Sequence, residues 1–165
     1  MAKINAKKKG NRNELFFAKL LTKRFKKTFK RVPMSGAFST FNAGQNVNEG
    51  AMQVLSGDII PPVNFKFSIE IKSRENFNFW DLLNNDTKNE IDKWIEQAEQ
   101  EAKLSHKEPL IIFKRNNKKP FVIIKKELYE GKLTYGDWSL VRWDYFLELP
   151  DNFFFKEDKK NDFTR

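Results

Sequence analysis

Between Gly57 and Arg74 the chain reads GDIIPPVNFKFSIEIKSR, with Asp58, Glu70 and Lys72 at a spacing that a β-hairpin would bring together. Pro61-Pro62-Val63-Asn64 has the composition of a turn, and Phe65 to Lys72 alternates apolar and polar residues with the period of a strand. If the chain reverses near position 64, antiparallel pairing sets Asp58 opposite Glu70. Side chains two apart on a strand share a face, so Lys66, Ser68, Glu70 and Lys72 project one way and Phe65, Phe67, Ile69 and Ile71 the other. The apolar face is expected in a core. The other gathers two carboxylates and an ammonium.

An E-x-K triplet means little alone, because this lysine-rich chain has four: Glu70-Lys72, Glu101-Lys103, Glu130-Lys132 and Glu157-Lys159. Only the copy at Glu70 lies in a strongly alternating strand with an acid placed beside it. Taken in isolation, the pattern also fits a polar strand face carrying a solvated ion pair.

Composition narrows the chemistry. The 165 residues suffice for one domain, and a hydrophobic fraction of 39% with seventeen Phe and four Trp suits a packed core. No apolar run reaches the length of a membrane span, and Met1 to Lys9 lacks the apolar centre of a signal peptide, so a cytoplasmic protein is expected. With no cysteine and the single histidine His106, disulfides, thiol catalysis, thiolate zinc sites and His-pair metal sites are excluded. Carboxylate, lysine and hydroxyl remain.

The net charge of +9 is unevenly placed: residues 1–31 hold twelve Lys/Arg against Glu14, a net of +11, and the remainder holds nineteen against twenty-one, a net of −2. Such a basic block is the footprint of a polyanion partner, although a solubilising tail or a membrane-surface helix would carry it too. Residues 1–10 read as a flexible basic arm. Asn11 to about Lys30 reads as a helix capped by Asn11, with Glu14, Ala18, Leu21 and Phe25 on one line and Arg12, Lys19, Lys23, Lys26 and Lys30 opposite. Glu14 is either a capping-box glutamate or an acid turned toward those of the hairpin.

Arg31 and Val32 start a strand that Pro33-Met34-Ser35-Gly36 ends, and the polar segment 37–56 is long enough to be a functional loop. Asn76 to Asn85 fits either a loop or a short helix. Asp86 to Leu104 reads as a helix capped by Asp86 or Thr87, with Gln97 near its apolar line, either a surface residue or one that orients a water or touches DNA. Pro109 to Lys114 and Phe121 to Lys125 are apolar enough for central strands, joined by a basic tip, Arg115 to Lys119. His106 reads as a loop residue. Trp138 to Trp143 adds an expected edge strand, and Asp144 an expected cap for a short helix. One domain is expected over 1–150, and 151–165 is expected to be a charged tail, frayed or facing a partner. The order gives an α/β fold with a central mixed sheet flanked by helices.

Four segments in this order, Lys9-Gly10-Asn11-Arg12-Asn13-Glu14, Arg31-Val32-Pro33-Met34-Ser35-Gly36, Gly57-Asp58-Ile59-Ile60 and Ser68-Ile69-Glu70-Ile71-Lys72-Ser73-Arg74, resemble the motifs of archaeal-type Holliday junction resolvases within the PD-(D/E)xK nuclease superfamily. The resemblance covers roughly residues 9–125 and implies a restriction-endonuclease-like core, and the chain's Lys, Asn, Ile and Phe bias suits an AT-rich phage or bacterial genome, a phage-encoded member among the expectations. It further implies that Glu14, Asp58 and Glu70 form the acidic metal site, that Lys72 is the catalytic lysine, and that Ser35 serves the active site; on ligand chemistry the Ile71 backbone carbonyl could add a third oxygen beside Asp58 and Glu70. Arg12 and Arg31 match basic positions implicated in DNA contact. Gly57 stands where that family usually has proline, and the segment between Gly36 and Asp58 is longer here.

Hard oxygen ligands suit Mg²⁺ or Mn²⁺, and no small-molecule cofactor is implied. Branched or double-stranded DNA is the expected partner, contacted by Arg12, Lys19, Lys23, Lys26, Lys30, Arg31, Arg74, Arg115, Lys118 and Lys119. The two-fold symmetry of a four-way junction implies a homodimer. The expected activity is paired cleavage of such junctions. A PD-(D/E)xK nuclease acting on flaps, ends or linear duplex, in phage DNA processing or restriction, is the alternative, and a non-catalytic DNA-binding module is a third reading.

Overall fold

A computed structural model describes residues 6–33, 56–77 and 89–157. The first helix, α1, spans Ala6–Phe25. It begins five residues ahead of Asn11, so Asn11 lies within the helix and caps nothing. The cost of Gly10 inside a helix, about 1 kcal/mol, is offset by good helix formers around it and by the Lys9–Glu75 ion pair at 2.5 Å. Lys26, with φ of 54°, ends the helix in the left-handed region. Thr22 Oγ1 accepts the Phe29 N–H at 3.0 Å and fixes the turn that follows. Lys30 therefore leaves the helical stripe to which its spacing assigned it and sits in strand β1, Lys30–Arg31. Ala18, Leu21 and Phe25 are buried on one line with Glu14, as their spacing requires.

Six further strands complete the sheet: β2 (Ile59–Ile60), β3 (Phe67–Ser73), β4 (Glu108–Lys114), β5 (Phe121–Lys125), β6 (Leu133–Tyr135) and β7 (Trp138–Arg142). Their order is β1-β2-β3-β4-β5-β7-β6, so the edge beyond β5 is β6 and not the Trp138 strand expected there. Among the described strands only β3 and β4 run parallel, joined by a crossover that includes helix α2, Glu90–Ser105; the sheet is mixed. Pairing of Ile59 with Ile69 fixes the register of the first hairpin as the sequence spacing demands. That hairpin has no ladder beyond Ile60, since Pro61 and Pro62 have no N–H to offer. The C-terminal segment takes over: Phe65 bridges Phe155, and Lys66 N–H donates to the Phe154 carbonyl at 2.8 Å.

Both faces of the sheet are covered. Against α1 lie Ile59, Phe65, Phe67, Ile69, Leu110, Ile112, Val122 and Ile124; against α2 lie Ile111, Phe113, Ile123 and Leu140. Two-sided burial explains why β4 and β5 read as unbroken apolar runs. The cap of α2 is Asn89, whose side chain accepts the Ile91 and Asp92 N–H groups while Asp92 answers the Asn89 N–H; the expected caps Asp86 and Thr87 lie outside the described residues. His106 closes this helix with φ of 52°. Helix α3, Trp143–Leu147, starts at Arg142, whose side chain makes no cap bond; Asp144 falls in the first turn.

Residues 151–157 do not behave as the expected tail. Helix α4, Asp151–Phe154, carries Phe154 fully into the core, and Arg24 clasps the segment by donating to the Leu147 and Leu149 carbonyls and to Asp151. Phe25 of α1 packs on Phe154 and Phe155, which were expected to lie in that tail. Among the described residues no helix is long and apolar enough to cross a membrane.

Candidate active site

Asp58 sits at the mouth of the first hairpin, held at three points. Its N–H donates to the Ile69 carbonyl at 2.8 Å, its carbonyl accepts the Val32 N–H at 3.0 Å, and its Oδ2 accepts the Ile71 N–H at 2.7 Å. The residue before it, Gly57, has φ of +81°, and a Cβ there would stand 2.7 Å from the Ile69 carbonyl oxygen. Proline, fixed near φ of −65°, cannot adopt that conformation, so glycine at this position follows from how closely the hairpin strands approach.

Across the register from Asp58, Glu70 is buried on the face of β3 covered by α2. Two residues on, Lys72 donates to Glu70 Oε1 at 2.6 Å and to Gln97 Oε1 at 2.7 Å. Gln97 in turn donates to Glu70 Oε1 at 2.9 Å and to Glu101 Oε1 at 3.0 Å. Burial raises the Asp58 pKa to about 7 against the lowering effect of the Ile71 N–H, with the charges of Glu14 and Glu101 adding to the rise. Glu70 is pushed well above the usual carboxylate range, first by burial, then by Asp58 and Glu101. Two buried carboxylates this costly to ionise together form a site that a cation would discharge.

Glu14, also buried, accepts from Arg31 Nε at 2.6 Å, and Arg31 reaches on to Asn11 Oδ1 at 2.8 Å. Its charge acts on Asp58, but among the described residues no group of three or more acidic, histidine or cysteine side chains converges as a metal-ion cluster. The donor chemistry still fits a hard divalent ion: two carboxylates from Asp58 and Glu70 and the Ile71 carbonyl, all oxygen, with the remaining positions of an Mg²⁺ shell ordinarily filled by water. The structure thus brings Asp58, Glu70, Ile71 and Lys72 together, and Glu14, paired with Arg31, lies near enough for its charge to act on Asp58. Ser35 lies outside the described residues.

The expected DNA contacts divide by place. α1 runs antiparallel to β3, with Lys9 on Glu75 at one end and Phe25 6.0 Å from Phe65 at the other. Arg74, Arg115, Lys118 and Lys119 lie at the C-terminal end of β3 and β4, toward which Glu70 and Lys72 also lie. Of these, Arg74 pairs with Glu90, Arg115 donates to the Phe77 carbonyl and Lys119 pairs with Asp144. Exposed Lys23 and Lys26 lie toward the opposite end with Lys30, and Arg12 and Lys19 are exposed along α1. Phe16, which sits among the lysines of α1, is 45% exposed and lies beneath the Lys114 ammonium. Glu101 was not singled out as a site residue; its signal is the helical spacing of four from Gln97, which places both on one face of α2.

Residues 5–144 match the family described as "Phage putative PDDEXK endonuclease". The chain is also similar to "Protein D14" of Escherichia phage T5, with 29% identity over 117 residues, covering 68% of this chain and 66% of that protein. No solved structure matches. The match supports the PD-(D/E)xK superfamily and a phage setting without reaching the archaeal-type resolvase branch. With the mixed sheet and the Asp58, Glu70 and Lys72 arrangement at one hairpin, a match over this span means that the chain belongs to the phage PDDEXK endonuclease family.

Proposed function

We propose that the protein is a divalent-metal-dependent endonuclease that cleaves branched DNA, with the four-way junction as its preferred substrate. The observation that carries the hydrolytic part is the Ile59–Ile69 register, which sets Asp58 across from Glu70 with Lys72 on the same strand face. Asp58, Glu70 and the Ile71 carbonyl would hold Mg²⁺ or Mn²⁺, with Glu14 acting through a water. Such an ion supplies Lewis acidity at the phosphate and lowers the pKa of a bound water.

The protein's own groups do the rest. Asp58 and Glu70 are fixed before substrate arrives, one by three backbone contacts and the other by Lys72 and Gln97, so little reorganisation is needed at the moment of reaction. The Lys72 ammonium orients the attacking water and meets the charge that grows on the phosphate oxygens. Arg31 holds the Glu14 carboxylate in place through its Nε.

The junction preference draws on the four ordered motifs and on the placement of cations toward both ends of the sheet, which suits a substrate whose arms diverge. Recognition would then follow shape and backbone charge. A homodimer with one site per subunit would match the two scissile strands of a junction. The test incubates the protein and Mg²⁺ with end-labelled four-way junction, flap, linear duplex and single strand of matched sequence, with Glu70→Ala as control. Paired symmetric nicks on the junction, absent from the variant, are expected. Equal cutting of every substrate would replace the junction preference with general nuclease activity, and binding without cutting in Mg²⁺ or Mn²⁺ would overturn catalysis.

A further inference from the structure

We infer that Gln97 is a positioning residue for Lys72, contributed by a different element from the strand that carries the E-x-K pair. The inference rests on the nuclease reading of that pair. Gln97 projects from the middle of α2 across β3, and its amide joins three side chains. The carbonyl oxygen accepts from Lys72 Nζ at 2.7 Å, and the amide nitrogen donates to Glu70 Oε1 at 2.9 Å and Glu101 Oε1 at 3.0 Å. The opposite amide orientation would set an NH₂ group against an ammonium and a carbonyl against two carboxylates, so only one is chemically consistent.

Glu70 Oε1 serves both Lys72 and Gln97. When Glu70 acts as a cation ligand, its bond to Lys72 competes with the cation for the same oxygen. The Gln97 carbonyl, which is neutral and belongs to no ligand, keeps its hold on the ammonium. Among the described residues the Lys72 ammonium, at the end of four flexible methylenes, has no hydrogen-bond partner besides Glu70 and Gln97, and misplacing a reacting group by about 1 Å can cost on the order of 100-fold in rate. Glu101, one helical turn beyond Gln97, restrains the amide from its far side. The protein therefore holds Lys72 through α2 as well as through its own strand.

The test uses Gln97→Met, which keeps the side-chain volume and removes both polar groups at an exposed position. Single-turnover cleavage in Mg²⁺ is expected to fall about 10- to 100-fold. DNA affinity measured in Ca²⁺ should be unchanged. In a Lys72→Met background the same change should cost nothing further, because Gln97 acts through Lys72. Independently of activity, NMR relaxation of the Lys72 ε-methylene in the metal-free protein should show lost order. Wild-type rates in Gln97→Met, losses that multiply in the double variant, or an equally ordered Lys72 would each overturn the inference. A wild-type protein that cuts no DNA would overturn the nuclease reading, and the relaxation measurement would still decide whether Gln97 holds Lys72.

Discussion

The Ile71 N–H donates to Asp58 Oδ2 at 2.7 Å, so the strand carrying Glu70 and Lys72 also holds the carboxylate that faces them. This single backbone bond is the main force lowering an Asp58 pKa that burial has raised to about 7. The balance has a consequence for stability. In the unfolded chain this carboxyl titrates near 3.8, while in the metal-free fold it keeps its proton to about pH 7. Between those values the folded state binds more protons, so stability falls as pH rises through the window. The displacement from 3.8 to about 7 corresponds to at most roughly 4 kcal/mol. The melting temperature of metal-free protein should therefore drop from pH 5 to pH 8 more steeply than that of Asp58→Asn, in which an amide oxygen can still accept the Ile71 N–H. Mg²⁺ should offset the drop in the wild type only. Parallel pH profiles for the two proteins would refute this account.

Gly57 supports the same contact from the other side. An Ala there would need a left-handed backbone and would press its Cβ to 2.7 Å from the Ile69 carbonyl, which accepts the Asp58 N–H. Gly57→Ala should destabilise by about 1–3 kcal/mol, or roughly 2–12 °C in melting temperature for a chain of this size. Cleavage should fall more than stability explains, because the strain displaces Asp58. Calorimetry and single-turnover rates test the pair of effects, and an unchanged melting temperature would rule it out.

Much of the site could be read from sequence because a hairpin converts spacing into contact: positions 58 and 70 pair once the chain reverses near 64, whatever lies elsewhere. Likewise, β4 and β5 announced themselves by unbroken apolar runs. What spacing could not reveal depends on contacts between distant segments. Glu101 looks like an ordinary surface residue, and Gln97 is open between a surface role and a site role, until α2 is laid across β3 by the parallel β3–β4 crossover. Arg31 reads as a DNA-contacting cation until β1 brings it to Glu14. The helix start also moved, because Lys9 finds Glu75, sixty-six residues away. Phe153 to Phe155 read as part of a tail, frayed or facing a partner, because the place they fill beside Phe65 and Lys66 is set by a segment distant in the chain.

Arg31 separates two roles that sequence alone merges. If it serves DNA directly, Arg31→Gln weakens binding and lowers the salt dependence of affinity by about one phosphate contact. The 2.6 Å bond to Glu14 predicts a different result. Removing the guanidinium leaves a buried carboxylate without that partner, so stability should fall by about 1–3 kcal/mol, and cleavage should slow at saturating DNA while affinity and salt slope stay close to wild type. Lys23→Glu, at an exposed position on α1, should do the reverse. Binding titrations at two salt concentrations beside single-turnover rates distinguish the roles; a loss of affinity without loss of rate in Arg31→Gln would assign it to DNA.

The C-terminal segment is the last and most severe test of the architecture. Phe154 is fully buried against Phe25, Phe65 and Phe146, and its carbonyl accepts the Lys66 N–H where the proline-broken hairpin leaves β3 without a partner. Truncation after Pro150 would remove that ring, the bridge between Phe65 and Phe155 and the Asp151 end of the Arg24 clasp. Phe154→Ala alone should cost about 3–5 kcal/mol, a large part of the stability of an ordinary domain, and the truncation should leave the chain unable to fold cooperatively. Arg24→Ala should cost less, about 1–2 kcal/mol, because water can reach the carbonyls it releases. Urea unfolding of the three variants checks the order. A truncated protein that unfolds with the wild-type midpoint would mean that residues 151–157 are an appendage after all, and that β3 does not need them as its neighbour at Phe65 and Lys66.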